Sequence, residues 1–222
     1  LKVNKKLQEI GKEYGEKYGI HVETLVAKGK IYDQINEVAE MISADLIVMG
    51  TDGSSGKSKK IMGSNAERVV RLAHCPVITI KGKCHRVGCK NIILPLDLEK
   101  QTKEKVTYAL EYARYWDATI RLVSVVLRSN KEVRDKLIKN INQVKKFIID
   151  AGVKCTAELV EGEKKQTLGD FVFNYEKSFD ADLIMIMTKK EELSLSNNIS
   201  VTARYIINNS EIPVMSIRPK EQ

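Results

Sequence analysis

The residues best suited to chemistry in this chain lie between Ala44 and Lys81, in the stretch ADLIVMGTDGSSGKSKKIMGSNAERVVRLAHCPVITIK. Gly50, Gly53 and Gly63 are interspersed with Ser54, Ser55, Ser58 and Ser64 and with Lys57, Lys59 and Lys60. Glycine leaves the backbone N–H bare and open to close approach. Serine hydroxyls donate hydrogen bonds, and lysines add positive charge. A loop of this make-up suits an anion, above all a phosphate. A flexible solvated loop has the same composition, so the flanking elements and the spacing must decide.

The flanks supply the positioning elements. Leu46-Ile47-Val48-Met49 is a short apolar run stopped by Gly50, which reads as a buried parallel strand. Ala66 to Leu72 reads as a helix with Ser64 or Asn65 as its N-cap. Cys75-Pro76 closes that helix, and Val77 to Ile80 reads as the next strand. Strand, glycine loop and helix start, in that order, bring bare amides and the positive end of a helix dipole to one place. Gly50 and Gly53 bracket an expected tight turn, and Gly63 an expected re-entry into helix beside a ligand.

The spacing Gly50-x2-Gly53-x9-Gly63-Ser64 resembles the nucleotide-binding signature of the universal stress protein family. The ADLIVMGT strand before it, and the AERV helix and CPV strand after it, match as well. The resemblance implies an α/β fold of two repeated doubly wound parallel-sheet domains, Rossmann-like and similar to the adenine nucleotide alpha hydrolases. It implies a stress-response protein that holds ATP or a related adenine nucleotide. Carried over residue by residue, it puts Met49, Gly50, Gly53, Gly63, Ser64 and Asn65 in the site. Asp52 departs from the pattern, since family members often carry His or another uncharged or basic residue there. A carboxylate beside phosphates calls for a cation between them, which makes Mg2+ a candidate.

Two other functions fit the same residues. One is a scaffold of this fold that binds no nucleotide. The other is a slow ATPase in which Lys57, Lys59 and Lys60 stabilise charge at the γ-phosphate. No general base stands out, so the expectation is binding without turnover and no catalytic residue is assigned. A dinucleotide-dependent dehydrogenase is set aside, because the tight G-x-G-x-x-G spacing is missing. A Walker-type loop is set aside too, because Ser64-Asn65 follows Gly63 where Lys-Ser or Lys-Thr would be needed.

Composition narrows the partners. The chain has 222 residues, of which 43% are hydrophobic, enough for one large or two small cores. No apolar run approaches the roughly 18 residues that a membrane helix needs. No signal peptide is present, so a cytoplasmic protein is expected, although Leu1 is not an initiator. The net charge of +8 comes from lysines scattered along helices with few aromatics among them. That pattern reads as a solvated basic surface rather than a nucleic-acid site. Cys84, His85 and Cys89 lack a fourth ligand at a convincing spacing, so no metal site is assigned. With Cys75 and Cys155 they form no cluster, which fits a reducing compartment.

The chain also repeats itself. Leu1–Tyr18 and Ile31–Ile42 read as amphipathic helices, with His21–Val26 as a strand between them. Lys81–Gly88 reads as a linker, dividing the chain into residues 1–83 and 88–222. The second part reads as strands at Asn91–Leu96, Thr119–Leu127, Val153–Val160, Leu183–Met187 and Val214–Ile217, alternating with helices. Ala44 and Ala181, and Pro76 and Pro213, share one offset of 137 residues (181 less 44, 213 less 76). Under it, Gly50, Gly53 and Gly63 fall opposite Met187, Lys190 and Ser200. The second repeat is therefore expected to keep the fold and to have lost the phosphate site. It also begins with a strand, helix and strand that the first repeat lacks, a difference of about 45 residues. Those strands are expected to belong to the molecule, because Leu46–Met49 would otherwise lie unpaired on one side. The family's adenine-contacting Asp matches Asp97 of the second repeat, where it also reads as a helix cap, and the first repeat has no copy. The resemblance further implies antiparallel pairing of Val77–Ile80 with Val214–Ile217 as an intramolecular pseudo-dimer. Homo-oligomers through other faces remain open.

Overall fold

The computed structural model describes residues 2–51, 62–82, 87–97, 102–126, 131–162, 168–188 and 199–219. The first repeat contributes α1 (Lys2–Tyr18), α2 (Ile31–Met41), β1 (Ile47–Gly50), α3 (Ser64–Leu72) and β2 (Val77–Ile80). The second contributes β3 (Asn91–Leu96), α4 (Thr102–Trp116), β4 (Thr119–Val126), α5 (Lys131–Asp150) and β5 (Cys155–Glu161). It continues with α6 (Leu168–Ser178), β6 (Leu183–Met187), α7 (Val201–Asn209) and β7 (Val214–Ile217).

One seven-stranded sheet runs through both repeats in the order β1-β2-β7-β6-β3-β4-β5. Every pairing is parallel except that of β2 with β7, which is antiparallel with Ile78 opposite Met215. The two last strands therefore join the repeats edge to edge, as the resemblance implies. The near-continuous apolar runs of β3 and β6 follow from this placement, since helices cover both faces of these central strands. On one face Val69 and Val70 of α3, Val172 and Tyr175 of α6, and Ile206 and Ile207 of α7 pack with Ala39 of α2 on the sheet. On the other face Val106, Ala109 and Ala113 of α4, with Ile141 and Ile148 of α5, cover Ile92, Leu94 and Met185.

Among the described residues the first repeat shows only part of this pattern. β1 is the sheet's edge, and Val48 is 57% exposed where its counterpart Met185 is 0% exposed. Asp182 shows what the second repeat has in addition. Its carboxylate accepts the N–H groups of Lys90 (2.7 Å) and Asn91 (2.9 Å), tying the start of β6 to the start of β3. Asp45, at the same position in the first repeat, is exposed.

The strand expected at His21–Val26 does not form; these residues belong to no ladder. The matching strand, β5, is held by β4, and among the described residues no strand lies beside His21–Val26 in that way. The segment instead runs beside α1. The Ile20 N–H bonds to the Gly15 carbonyl at 3.1 Å, and a Cβ on Gly11 would lie 2.9 Å from Thr24 Cγ2. Gly11 is the one buried residue of α1.

Candidate functional site

The carboxyl ends of β1 and β2 and the amino end of α3 meet where the sequence places the loop. Three backbone hydrogen bonds build this corner. The Thr51 N–H bonds to the Ile80 carbonyl (3.0 Å), carrying the β1–β2 ladder one residue past β1. The Gly63 N–H bonds to the Thr51 carbonyl (3.0 Å), so the two ends of the loop are joined. The Glu67 N–H bonds to the Gly63 carbonyl (3.0 Å) and opens the helix. The second repeat reproduces the set 137 residues later (188 less 51, 200 less 63). Thr188 bonds to Ile217 (2.9 Å), Ser200 to Thr188 (2.7 Å) and Arg204 to Ser200 (3.0 Å).

With the backbones matched, the side chains carry the difference. Ser200 is the N-cap of α7, and its Oγ accepts the Ala203 N–H at 3.1 Å. Gly63 is the N-cap of α3, with no side chain to accept anything. The expectation that Ser64 or Asn65 caps this helix is thus corrected: both lie within its first turn. The physical reason is the Gly63 N–H bond to Thr51, which fixes residue 63 in extended geometry (φ −60°, ψ 148°). Any residue can adopt that conformation, and Ser200 does so at φ −60°, ψ 150°. The conformation therefore does not require glycine at 63; glycine there leaves the helix's first amides uncapped by side chains.

Thr51 differs from Thr188 in the same sense. The Thr188 hydroxyl donates to the Ile217 carbonyl at 3.4 Å, whereas the Thr51 hydroxyl is buried with no hydrogen-bond partner among the described residues. A buried polar group left in that state costs free energy unless something supplies the bond. Gly50 is the last residue of β1, the turn expected from it to Gly53 lies outside the described residues, and among the described residues a Cβ at Gly50 would meet only the Ile80 carbonyl, at 3.9 Å. The protein leaves room at this point, where the second repeat carries the Met187 side chain.

The structure thus brings Met49, Gly50, Gly63, Ser64 and Asn65 to one corner of the sheet. Met49, Gly63 and Asn65 are half-buried, while Gly50 and Ser64 are exposed. Gly53, Asp52 and the three lysines of the loop lie outside the described residues. Glu67, in the first turn of α3, adds a carboxylate near the helix start. Arg204 of α7 binds it at 2.6 Å and offsets that charge. Sequence reasoning missed Thr51 and the Glu67–Arg204 pair. The signal was available in the offset, since Thr51 recurs as Thr188, and Glu67 falls opposite Arg204 with reversed charge.

Asp97 sits at the end of β3, where its main-chain carbonyl accepts from Asn140 Nδ2 at 2.9 Å. The preceding carbonyls, Pro95 and Leu96, accept from Lys105 (2.5 Å) and Ser124 (3.0 Å). Among the described residues no three His, Cys, Asp or Glu side chains come together to hold a metal ion. Burial pushes the Cys89 thiol up to about 12 and the Cys155 thiol up to about 11. Among the described residues, no helix is long and apolar enough to cross a membrane.

Comparison with known proteins bears on the whole chain. A universal stress protein MJ0531 of Methanocaldococcus jannaschii is 44% identical over 70 residues, 32% of this chain and 41% of that protein. The YxiE universal stress protein of Bacillus subtilis is 33% identical over 76 residues, 34% of this chain and 51% of that protein. These matches span about half or less of the relatives' own length. The solved universal stress protein from Archaeoglobus fulgidus DSM 4304 superposes with a TM-score of 0.76 at 18% identity, over 98% of this chain and 76% of that one. At that identity the likeness speaks for the fold alone. The model of the universal stress protein family matches twice, at residues 2–81 and 88–218, and the chain belongs to that family.

Proposed function

We propose that the first repeat binds ATP or a related adenine nucleotide, with the phosphates at the corner formed by Gly50, Gly53, Gly63, Ser64 and Asn65 and with Met49 beside them. The observation that carries this reading is the contrast between two otherwise superimposable helix starts. Ser200 caps α7 from within, and Gly63 leaves α3 without a side-chain cap. An anion is the natural acceptor for amides so presented. The buried Thr51 hydroxyl, without a partner among the described residues, supports the same conclusion, because a phosphate oxygen would complete its hydrogen bonding. The described residues of the corner support the triphosphate part of the ligand, and a Mg2+ ion would answer the carboxylate that the sequence puts in the loop at Asp52. The preference for adenine rests on the family resemblance.

In this reading the protein is a cytoplasmic binding module of the stress response and not an enzyme. The second repeat serves as its folded partner. Calorimetry with ATP tests the proposal: heat from the wild type that vanishes in Gly63→Asp is expected, and no heat at millimolar ATP would leave the scaffold reading in its place. Phosphate release should run no faster than in buffer; a faster rate would make the protein an ATPase.

A further inference from the structure

A side chain of the second repeat reaches into the mouth of the first repeat's loop. The Met62 N–H, one residue before the uncapped helix start, donates to Asn208 Oδ1 of α7 at 2.7 Å. The main-chain carbonyl of the same Asn208 accepts from Lys81 Nζ at 2.8 Å. Lys81 follows Ile80, whose carbonyl holds Thr51, and Thr51 in turn holds Gly63. These bonds close a ring: Thr51, Gly63 with Met62, Asn208, and Lys81 with Ile80. Both ends of the 52–61 loop belong to this ring. Asn208 is its only member from the second repeat.

The Lys81 bond has a counterpart, since Arg218 donates to the Leu72 carbonyl at 3.3 Å, but the Asn208–Met62 bond has no mirror image among the described residues. Residue 71 occupies the place of Asn208 in the first repeat and is Arg, while residue 199 occupies the place of Met62 and is Ile. The pseudo-symmetry of the sheet gave both repeats the chance to make this bond. It exists on the side that keeps the glycine loop and whose helix lacks a side-chain cap. Without Asn208 the Met62 N–H would lose its acceptor, and the approach to Gly63 would be held only by the burial of the Met62 side chain and the Gly63–Thr51 bond.

We propose that Asn208 is a positioning residue through which the second repeat fixes the loop mouth of the first and so sets its affinity for the phosphate ligand. The affinity part rests on the nucleotide reading above; the fixing of Met62 does not. This gives the second repeat, which caps its own helix, a task in the function of the first. The dependence is one-sided, so changes at Ser200 leave the first repeat's affinity alone.

The test combines amide hydrogen exchange at Met62 with ATP calorimetry, on wild type, Asn208→Ala and Asn208→Asp. In Asn208→Ala the Met62 amide should exchange about tenfold faster and ATP should bind about tenfold more weakly, the loss expected for one hydrogen bond. Ala203, capped by Ser200, should exchange as before, which separates this effect from general destabilisation. Asn208→Asp keeps an acceptor oxygen in the same place and should restore protection at Met62. Unchanged Met62 exchange in Asn208→Ala would overturn the proposal. Faster exchange with unchanged ATP affinity would overturn its functional part. If the wild type itself binds no ATP, the nucleotide reading fails, and the exchange data alone decide whether Asn208 fixes Met62.

Discussion

At the scale of single residues, one methylene and one hydroxyl separate the two N-cap positions, Gly63 and Ser200. Gly63→Ser should give α3 the cap that α7 already has, because the two positions share their backbone geometry. Thermal stability should hold or rise slightly, since Ser exceeds Gly at an N-cap by only a few tenths of a kcal/mol. Nucleotide affinity should fall by about tenfold or more, because a side-chain oxygen then competes with the anion for the same amides. A variant that melts as the wild type yet binds equally well would contradict this. The thiols give a second residue-level outcome. Cys89 and Cys155 are raised by burial from their ordinary value of 9.0 to about 12 and about 11. Their contribution to stability is complete below about 9 and is lost as pH rises through those higher values, because the unfolded chain ionises first. Denaturant midpoints should therefore decline from about pH 9 upward, and an alkylating agent at pH 8 should leave both thiols intact in the native protein.

At the scale of elements, much of the fold is legible in the sequence. The apolar runs at Ile92–Leu94 and Leu183–Ile186 could only be central strands, and the 137-residue offset located the paired corners. The strand expected at His21–Val26 was not legible as an error. A strand is a relation between segments, and among the described residues none lies beside this one as β4 lies beside β5. The N-cap was misassigned because serine and asparagine rank high there, whereas the Thr51–Gly63 bond sets the boundary one residue earlier. Asn208 was invisible because a bond spanning 146 residues leaves no local signature. The exposed state of α1 leads to a further expectation. Removing residues 1–28 should change the thermal midpoint by little, since Gly11 is the one residue that α1 buries and its neighbours there are Val22 and Thr24. A large drop would show that α1 packs on the sheet. At the α6–α7 contact the opposite holds. A Cβ on Gly169 would come 2.3 Å from Tyr205 Cδ1, and Tyr205 OH donates to Asp170 at 2.8 Å. Gly169→Ala should push the ring aside and cost about 1–3 kcal/mol in urea unfolding.

At the scale of the molecule, the two repeats form a dimer within one chain and have diverged across its axis. Glu67 and Arg204 occupy equivalent positions and meet each other at 2.6 Å. In a symmetric pair the same residue would face itself, so opposite charges here mark two repeats that now differ. Each single reversal, Glu67→Arg or Arg204→Glu, should destabilise, and the double reversal should recover about 0.5–1 kcal/mol of coupling, as suits a partly exposed pair. The same divergence gives one repeat an uncapped helix start and the other a self-capped one. Amide shifts during an ATP titration read both helix starts in a single experiment. Saturable shifts are expected at Gly63 to Ala66, with none at Val201 to Ala203. Equal shifts at both, or none at either, would contradict this expectation.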